Sequence, residues 1–497
     1  MFSSWTLCCG RVQQRWVFAV MGCLAITVSY AMRITLSLAI TQMVTTVETS
    51  SNSTTVDENT CSGTVSASSN SNTGDTYEWD EYTQGIILSS FYWGYIVSQV
   101  PGGILADKFG GKYTLAGAIL SSTTFTLLTP LVVSKFESTG LIVLRILMGL
   151  GEGTTFPAVN VLIAAWAPPQ ERSKIGTMVM TGTQIGTILG NALAGILLEY
   201  SPIGWPLVFY FFGGLAALWV VTWILFFHSS PDVHPYISEA EKKYIQDKIS
   251  ENTRKHTQPI PWRHMATSFP FWALLIGKFG HDWGFYTMVT DLPKYMSNVL
   301  KFSITSNGLL TALPYVAMWI VSNISSILAD WLIKSGKMTT TNVRKAFTTF
   351  GSVGPAIFLV AASYGECNRV LVVILFIIGI GLMGPFYPGL MVNGVDLSPN
   401  YSGTLMAIMT AVGALAGILT PDVVGLLTPN QTVMEWRIVF WIAFAVFMVT
   451  NVGVLFWQRG DVQYWNDLEN NGQGRKDPEN GAKPSERNES PEGKADT

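Results

Sequence analysis

Charge is what this 497-residue chain has least of. Asp, Glu, Lys and Arg make up 13% of it, roughly half the quarter usual in soluble domains. That shortage excludes an ordinary water-soluble fold of this length. The five cysteines form no Cys-x-x-Cys pair and no Cys/His cluster, which argues against a structural zinc or iron–sulfur site. A net charge of −3 leaves no case for nucleic acid, which demands a basic surface. No nucleophile–base constellation and no cofactor motif can be found, so an enzyme is the least favoured class. The first apolar run lacks a small-residue cleavage site and carries Arg33, so it reads as a retained helix and not a signal peptide.

What is present is apolar. Hydrophobic residues make up 48% of the chain and mean hydropathy is +0.33. Twelve long apolar runs lie near 16–40, 83–105, 113–134, 139–163, 174–198, 205–228, 270–292, 305–329, 344–364, 369–391, 403–427 and 435–458. Each is about the length that crosses a bilayer core. In lipid the backbone must satisfy its own hydrogen bonds, so such runs are helices. The expected fold is an all-α membrane protein of twelve transmembrane helices. The expected organisation is a terminal segment 1–15, a six-helix half 16–228, a central loop 229–269, a second six-helix half 270–458, and a polar, disordered tail 459–497.

The 30 Lys and Arg residues sort unevenly. The side carrying both termini holds 22 of them, the opposite side 4, and 4 more (Arg33, Arg145, Lys278, Arg437) lie in or beside spans. The bias places both termini in the cytoplasm. The first outer loop, about 41–82, has no Lys or Arg and holds the glycosylation acceptor Asn52-Ser53-Thr54. Asn430-Gln431-Thr432 is a second candidate in the last outer loop, whereas Asn488-Glu489-Ser490 falls in the cytosolic tail. In the central loop, Ser238-Glu239-Ala240-Glu241 reads as a capping box opening a short helix.

The halves read as copies. Pro157 and Pro388, Gly182 and Gly413, Gly186 and Gly417, Trp205 and Trp436, and Phe209 and Phe440 are each 231 residues apart, and Gly151 and Gly381 are 230 apart. Two pseudo-symmetric six-helix halves about a central loop are an alternating-access architecture, with cargo bound near the midplane between them.

Three ionisable residues lie deep in the first half: Arg33, Arg145 and Glu152. A charge at that depth costs several kcal/mol unless paired or hydrated, so it faces a cavity or a partner. Guanidinium forks suit carboxylate or phosphate. Glu152 is a carboxyl whose proton affinity responds to hydration and to neighbouring cations. Arg145 and Glu152, seven residues apart, share a helix face about 10 Å apart. They are either working groups or a structural ion pair. In the second half Lys278 and Asp282 are spaced i,i+4 beside His281. Either His281 completes an anion site or the trio is a neutralised pair with a packed histidine. Tyr30, Gln184, Asn191, Tyr387 and Asn393 are polar cavity liners or helix–helix hydrogen bonds. The pairs Gly182/Gly186 and Gly413/Gly417 allow close helix packing. Cys61 and Cys367 both fall in outer loops, so a disulfide is allowed there. Cys8 and Cys9 are palmitoylation candidates.

Two sets of residues carry a resemblance. The loop Gly102-Gly103-Ile104-Leu105-Ala106-Asp107-Lys108-Phe109-Gly110-Gly111-Lys112 resembles the loop signature of the major facilitator superfamily. That implies the major facilitator fold and a conformational latch involving Asp107 and Lys108. Gly151-Glu152-Gly153-Thr154-Thr155-Phe156-Pro157-Ala158 is followed by Trp166-Ala167-Pro168-Pro169-Gln170-Glu171-Arg172-Ser173. With Phe91-Tyr92-Trp93-Gly94-Tyr95, Trp283-Gly284-Phe285-Tyr286-Thr287 and Asp396-Leu397-Ser398-Pro399, these segments resemble the anion:cation symporter family, the group of sialin, the vesicular glutamate transporters and the type I sodium/phosphate cotransporters. The resemblance implies anion recognition by Arg33 and Arg145 and proton coupling through Glu152. This chain departs from sialin at Met148 and Asn160, and from the glutamate transporters across Lys278–Trp283.

The expectation is therefore a monomeric secondary transporter in the lipid bilayer, without a cofactor, moving a small anion of the phosphate, sialate, glutamate or urate class with H⁺ or Na⁺. Arg33, Arg145, His281 and Tyr30 are its expected substrate ligands. An H⁺-coupled organic anion carrier is the leading form and a Na⁺-dependent phosphate cotransporter the alternative. A sensor or anion channel of the same fold is the different class. The membrane is the plasma membrane or a lysosomal or vesicular one. No acidic dileucine signal is found in the N-terminal 15 residues or the tail, which slightly favours the plasma membrane.

Overall fold

A computed structural model describes residues 13–44, 75–168, 171–235, 237–253 and 260–466. Asn52, Cys61, Cys8, Cys9 and Asn488 lie outside the described residues, as does the side chain of Asp107. Cys367 is disulfide-bonded, with Cys61, its expected partner, among those outside.

Among the described residues the chain is helical apart from short connections and one isolated bridge, Val44–Tyr77. In order come α1 (Gln14–Met43), α2 (Glu81–Phe109), α3 (Gly111–Glu152), α4 (Thr155–Trp166), α5 (Arg172–Met180), α6 (Gly182–Tyr200), α7 (Pro206–Phe226), α8 (Glu239–Thr253) and α9 (Trp262–Ala266). The second half holds α10 (Phe269–Lys294), α11 (Ile304–Lys334), α12 (Thr340–Ser363), α13 (Arg369–Gly381), α14 (Asn393–Leu397), α15 (Ser402–Leu427) and α16 (Val433–Trp457). Single π-turns continue α10 at Tyr295–Val299 and precede α14 at Tyr387–Met391.

The twelve expected passes map onto these helices with three adjustments. α3 reverses at Glu137, whose φ is 48°, and so supplies the third pass and most of the fourth. α5 and α6 together make the fifth, and α13, the π-turn and α14 the tenth. By length and hydropathy, eight helical stretches among the described residues are apolar enough to cross a membrane. The reversing stretch 111–166 counts once there. α2 falls short because Ser, Gln, Gly and Tyr recur through it, α10 because it carries Lys278, Asp282, Asp291 and Lys294, and the tenth pass because it is broken into pieces.

The duplication survives in three dimensions. Trp205 and Phe209 pair at 5.8 Å between ring centroids, and Trp436 and Phe440, their counterparts, at 5.9 Å. The fourth pass breaks after Glu152 and the tenth after Gly381, one residue from corresponding positions. Each half has its own buried apolar cluster. α2 packs on α15 and α6 on α11 to join the halves.

Ion pairs and caps tie down the side that carries the termini. Arg15 Nε donates to Glu171 at 2.6 Å and Arg15 Nη1 to Glu241 at 3.2 Å. The Glu241 carboxylate also accepts from the backbone N–H of Gln14 at 3.0 Å. It therefore anchors the central segment to the start of α1, where carboxylates are favoured by the helix dipole. Ser238 Oγ accepts from Glu241 N, so the expected cap is formed while the glutamate side chain works elsewhere. The tail is folded further than the sequence predicts. Trp465 is fully buried and Asn466 Oδ1 accepts from Ser398 Oγ at 2.7 Å, because an indole and an amide can cover the open end of the second half.

Candidate functional site

Close helix crossings build the interior site. A Cβ at Gly94 or Gly149 would overlap the Ile146 or Phe91 carbonyl across the α2–α3 contact. Only glycine lets the two backbones approach that far. The crossing sets Phe91, Tyr92 and Tyr95 beside two arginines. Arg33 lies within 4.5 Å of the Phe91 and Tyr92 ring centroids, 5.1 Å of Tyr95, 5.3 Å of Tyr30 and 5.9 Å of Tyr286. Arg145 shares Phe91 at 5.0 Å. Both its terminal nitrogens donate to the Arg33 carbonyl at 3.4 Å. Ring faces attract a desolvated guanidinium, so the cage holds the cation without neutralising it.

Arg33, Arg145 and Glu152 are 5%, 4% and 3% exposed, so all three are withdrawn from water. They come together, and Glu152 interacts electrostatically with both arginines. Yet none of them forms an ion pair. Arg33 Nη2, Arg145 Nε and Glu152 Oε1 are buried without hydrogen-bond partners, and the Ser29 and Ser122 hydroxyls lie beside the glutamate. The structural ion pair left open for Arg145 and Glu152 is not made: the glutamate sits at the helix break, about two turns along, and the guanidinium turns to the Arg33 carbonyl instead. Buried polar groups are usually satisfied, and this concentration of unsatisfied ones makes the cluster the candidate site.

In the second half the arrangement differs. Lys278 Nζ donates to both oxygens of Asp282, at 2.7 and 2.6 Å. The Asp282 carboxylate lies where a Cβ of Gly413 would be, and Tyr92 packs onto Gly417. The corresponding Gly182 and Gly186 of the first half instead meet the α1 backbone. One duplicated glycine pair thus serves helix packing and the other makes room for side chains. His281 stacks on Phe386 at 3.6 Å, near-parallel, with Nδ1 buried and unpartnered. Asn191 donates within its own helix, leaving Oδ1 buried and unpartnered, and Asn393 donates to the Arg459 carbonyl. Gln184 and Tyr387 face each other between the halves. Lys108 is exposed at the terminal side, 5.6 Å from the Phe109 ring. Asn430 donates to Glu435 at 2.8 Å at the start of α16.

The sequence names Tyr30 but hides the rest of the aromatic cage. The other four rings stand in Phe91–Tyr95 and Trp283–Thr287, segments noted only for their resemblance. Five rings from α1, α2 and α10 meet one arginine only when the helices are packed.

A match to the model of the Major Facilitator Superfamily covers residues 22–421. The chain belongs to that superfamily. Its relatives narrow the membership. It is 39% identical to a putative inorganic phosphate cotransporter of Drosophila melanogaster over 90% of this chain and 85% of that protein. It is 37% identical to human sialin over 92% and 91%, and 36% identical to vesicular glutamate transporter 1 of Xenopus tropicalis over 93% and 77%. This superfamily member therefore groups with the sialin, glutamate and phosphate transporters, as the motifs imply. Among solved structures it resembles an inward-facing, unoccupied bacterial homologue of the human lysosomal transporter Spinster, with TM-score 0.67 and 12% identity over 90% of this chain and 97% of that one. It also resembles a D-xylose–proton symporter, with TM-score 0.66 and 14% identity over 89% and 97%. Those likenesses establish the fold. The superfamily chain is a multi-pass membrane protein and a secondary transporter.

Proposed function

We propose that this protein carries a small anion across the membrane with a proton, that Arg33 and Arg145 bind the anion, and that Glu152 is the coupling carboxyl. The observation carrying this reading is Arg33. It is a deeply buried guanidinium ringed by five aromatic groups, with no carboxylate paired to it and one terminal nitrogen unbonded. An anion entering the cavity completes the charge balance that the protein leaves open. Tyr30 supports the site as part of the cage, and His281 as an unsatisfied polar group at its edge. Asp107 and Lys108 serve as the latch on the terminal side. With both termini in the cytoplasm, as the distribution of Lys and Arg favours, Asn52 and Asn430 lie outside, where they accept glycans.

A Na⁺-driven phosphate carrier is the second reading, favoured by the name of the Drosophila relative. Uptake into proteoliposomes of labelled phosphate, sialate, glutamate and urate, with Na⁺ and H⁺ gradients imposed separately, tests both. Accumulation of a carboxylate driven by H⁺ supports the first reading, and phosphate accumulation that requires Na⁺ replaces it. Flux that never accumulates against a gradient makes the protein a channel and rejects both.

A further inference from the structure

The halves meet backbone to backbone on the side away from the termini, the outer side in the reading above. There a Cβ at Gly85 of α2 would sit 2.5 Å from the Pro421 carbonyl of α15, with the Asp422 Cα 3.5 Å away. A Cβ at Gly195 of α6 would be 2.8 Å from the Gly308 Cα of α11. A buried ion pair crosses this seam: Lys294 Nζ donates to Glu81 at 2.7 Å, and the lysine is 1% exposed.

That pair leaves charge uncompensated. Asp291, one turn before Lys294 and also 1% exposed, accepts from Thr290 Oγ1 at 2.6 Å through Oδ2, while Oδ1 is buried without a partner. The charged groups acting most strongly on it are Lys294 on its own helix, Glu81 on α2 and Asp422 on α15. Asp422 Oδ1 is likewise buried and unpartnered. From α11, Asn307 contributes only an N–H to the Pro293 carbonyl. Asp291 thus lies between two other carboxylates, Glu81 and Asp422, while the nearby ammonium of Lys294 is already paired with Glu81. An unpaired carboxylate inside the closed seam costs far more than a neutral one.

From this geometry we infer that the closed outer seam binds a proton at Asp291, taken from the outer solution as the halves close and returned to it as they part. Among the described residues no three His, Cys, Asp or Glu side chains are grouped to hold a metal ion. A proton needs only the one free oxygen. Because the seam faces the solution that supplies it, this proton regulates the gate and is not carried across. Acidification outside therefore favours the outward-closed form. The inference rests on alternating access but not on the cargo or on Glu152.

Hydrogen exchange of the full-length protein in lipid nanodiscs, corrected for intrinsic pH dependence, tests it without any substrate. In the wild type, amides at the outer ends of α2, α10 and α15 should gain roughly fivefold or greater protection from neutral to mildly acidic pH. Asp291→Asn should be protected at both pH values, and Na⁺ at fixed pH should change nothing. Asp422→Asn, which removes a like charge and keeps Asp291, should move the transition to lower pH. That variant decides the matter if Asp291→Asn does not fold. A wild-type pH profile in either folded variant, or protection that follows Na⁺, overturns the inference. A failed anion-uptake test with this pH response intact would overturn only the reading of Arg33.

Discussion

The two walls of the interior site handle buried charge in opposite ways. On the N-terminal wall Arg33, Arg145 and Glu152 lie together, yet none is neutralised by another. On the C-terminal wall Lys278 and Asp282 satisfy each other at 2.6 Å. The two halves share matched breaks and tryptophans, so the difference is a departure from their common pattern. A wall that neutralises itself needs nothing from outside. A wall that leaves guanidinium and carboxyl groups open is, under the proposed function, where a charged cargo completes the balance.

The largest effect expected from breaking this contrast is at Arg33. Arg33→Gln keeps a polar side chain but removes the open cation. Uptake should fall on the order of 30-fold or more, from a loss of about 2–5 kcal/mol in a desolvated charge pair, with surface expression unchanged. Uptake near wild type would remove Arg33 from the site. Next comes Glu152→Gln, which preserves shape and abolishes the titrating group. Flux should persist by exchange but become indifferent to an imposed pH gradient, measured in vesicles with and without an ionophore. A retained pH response would reject coupling through this residue.

The smallest effect on transport is expected at the other wall, whose self-sufficiency a stability measurement tests. Lys278→Met alone strands a buried carboxylate and should cost about 3–5 kcal/mol, whereas Lys278→Met with Asp282→Leu should be close to neutral. Thermal unfolding in detergent separates the two variants. If the double variant is stable and keeps uptake within a few-fold, the pair is structural. If it is stable and transports nothing, Lys278 belongs to the anion site and the contrast between walls is one of degree.

Much of this was legible in the chain. Run lengths predict the passes, and a constant offset of 231 residues between landmarks predicts the repeat. Arg33, Arg145 and Glu152 stand out because charge inside an apolar run is rare. The aromatic cage was not legible, because Phe91, Tyr92 and Tyr95 look like ordinary membrane residues until α2 crosses α3 at two glycines. The seam was missed for another reason. Glu81, Asp291 and Lys294 fall at helix ends, where charge is expected in solvent, and 213 residues separate the members of the pair Glu81–Lys294.

By itself the sequence determines the solvent, the repeat and which few ions are buried, because transferring a charge from water to lipid costs more than any local preference can hide. The tertiary structure decides which of those ions are paired. Pairing depends on ångström-scale distances between helices far apart in the chain, and no periodicity encodes them.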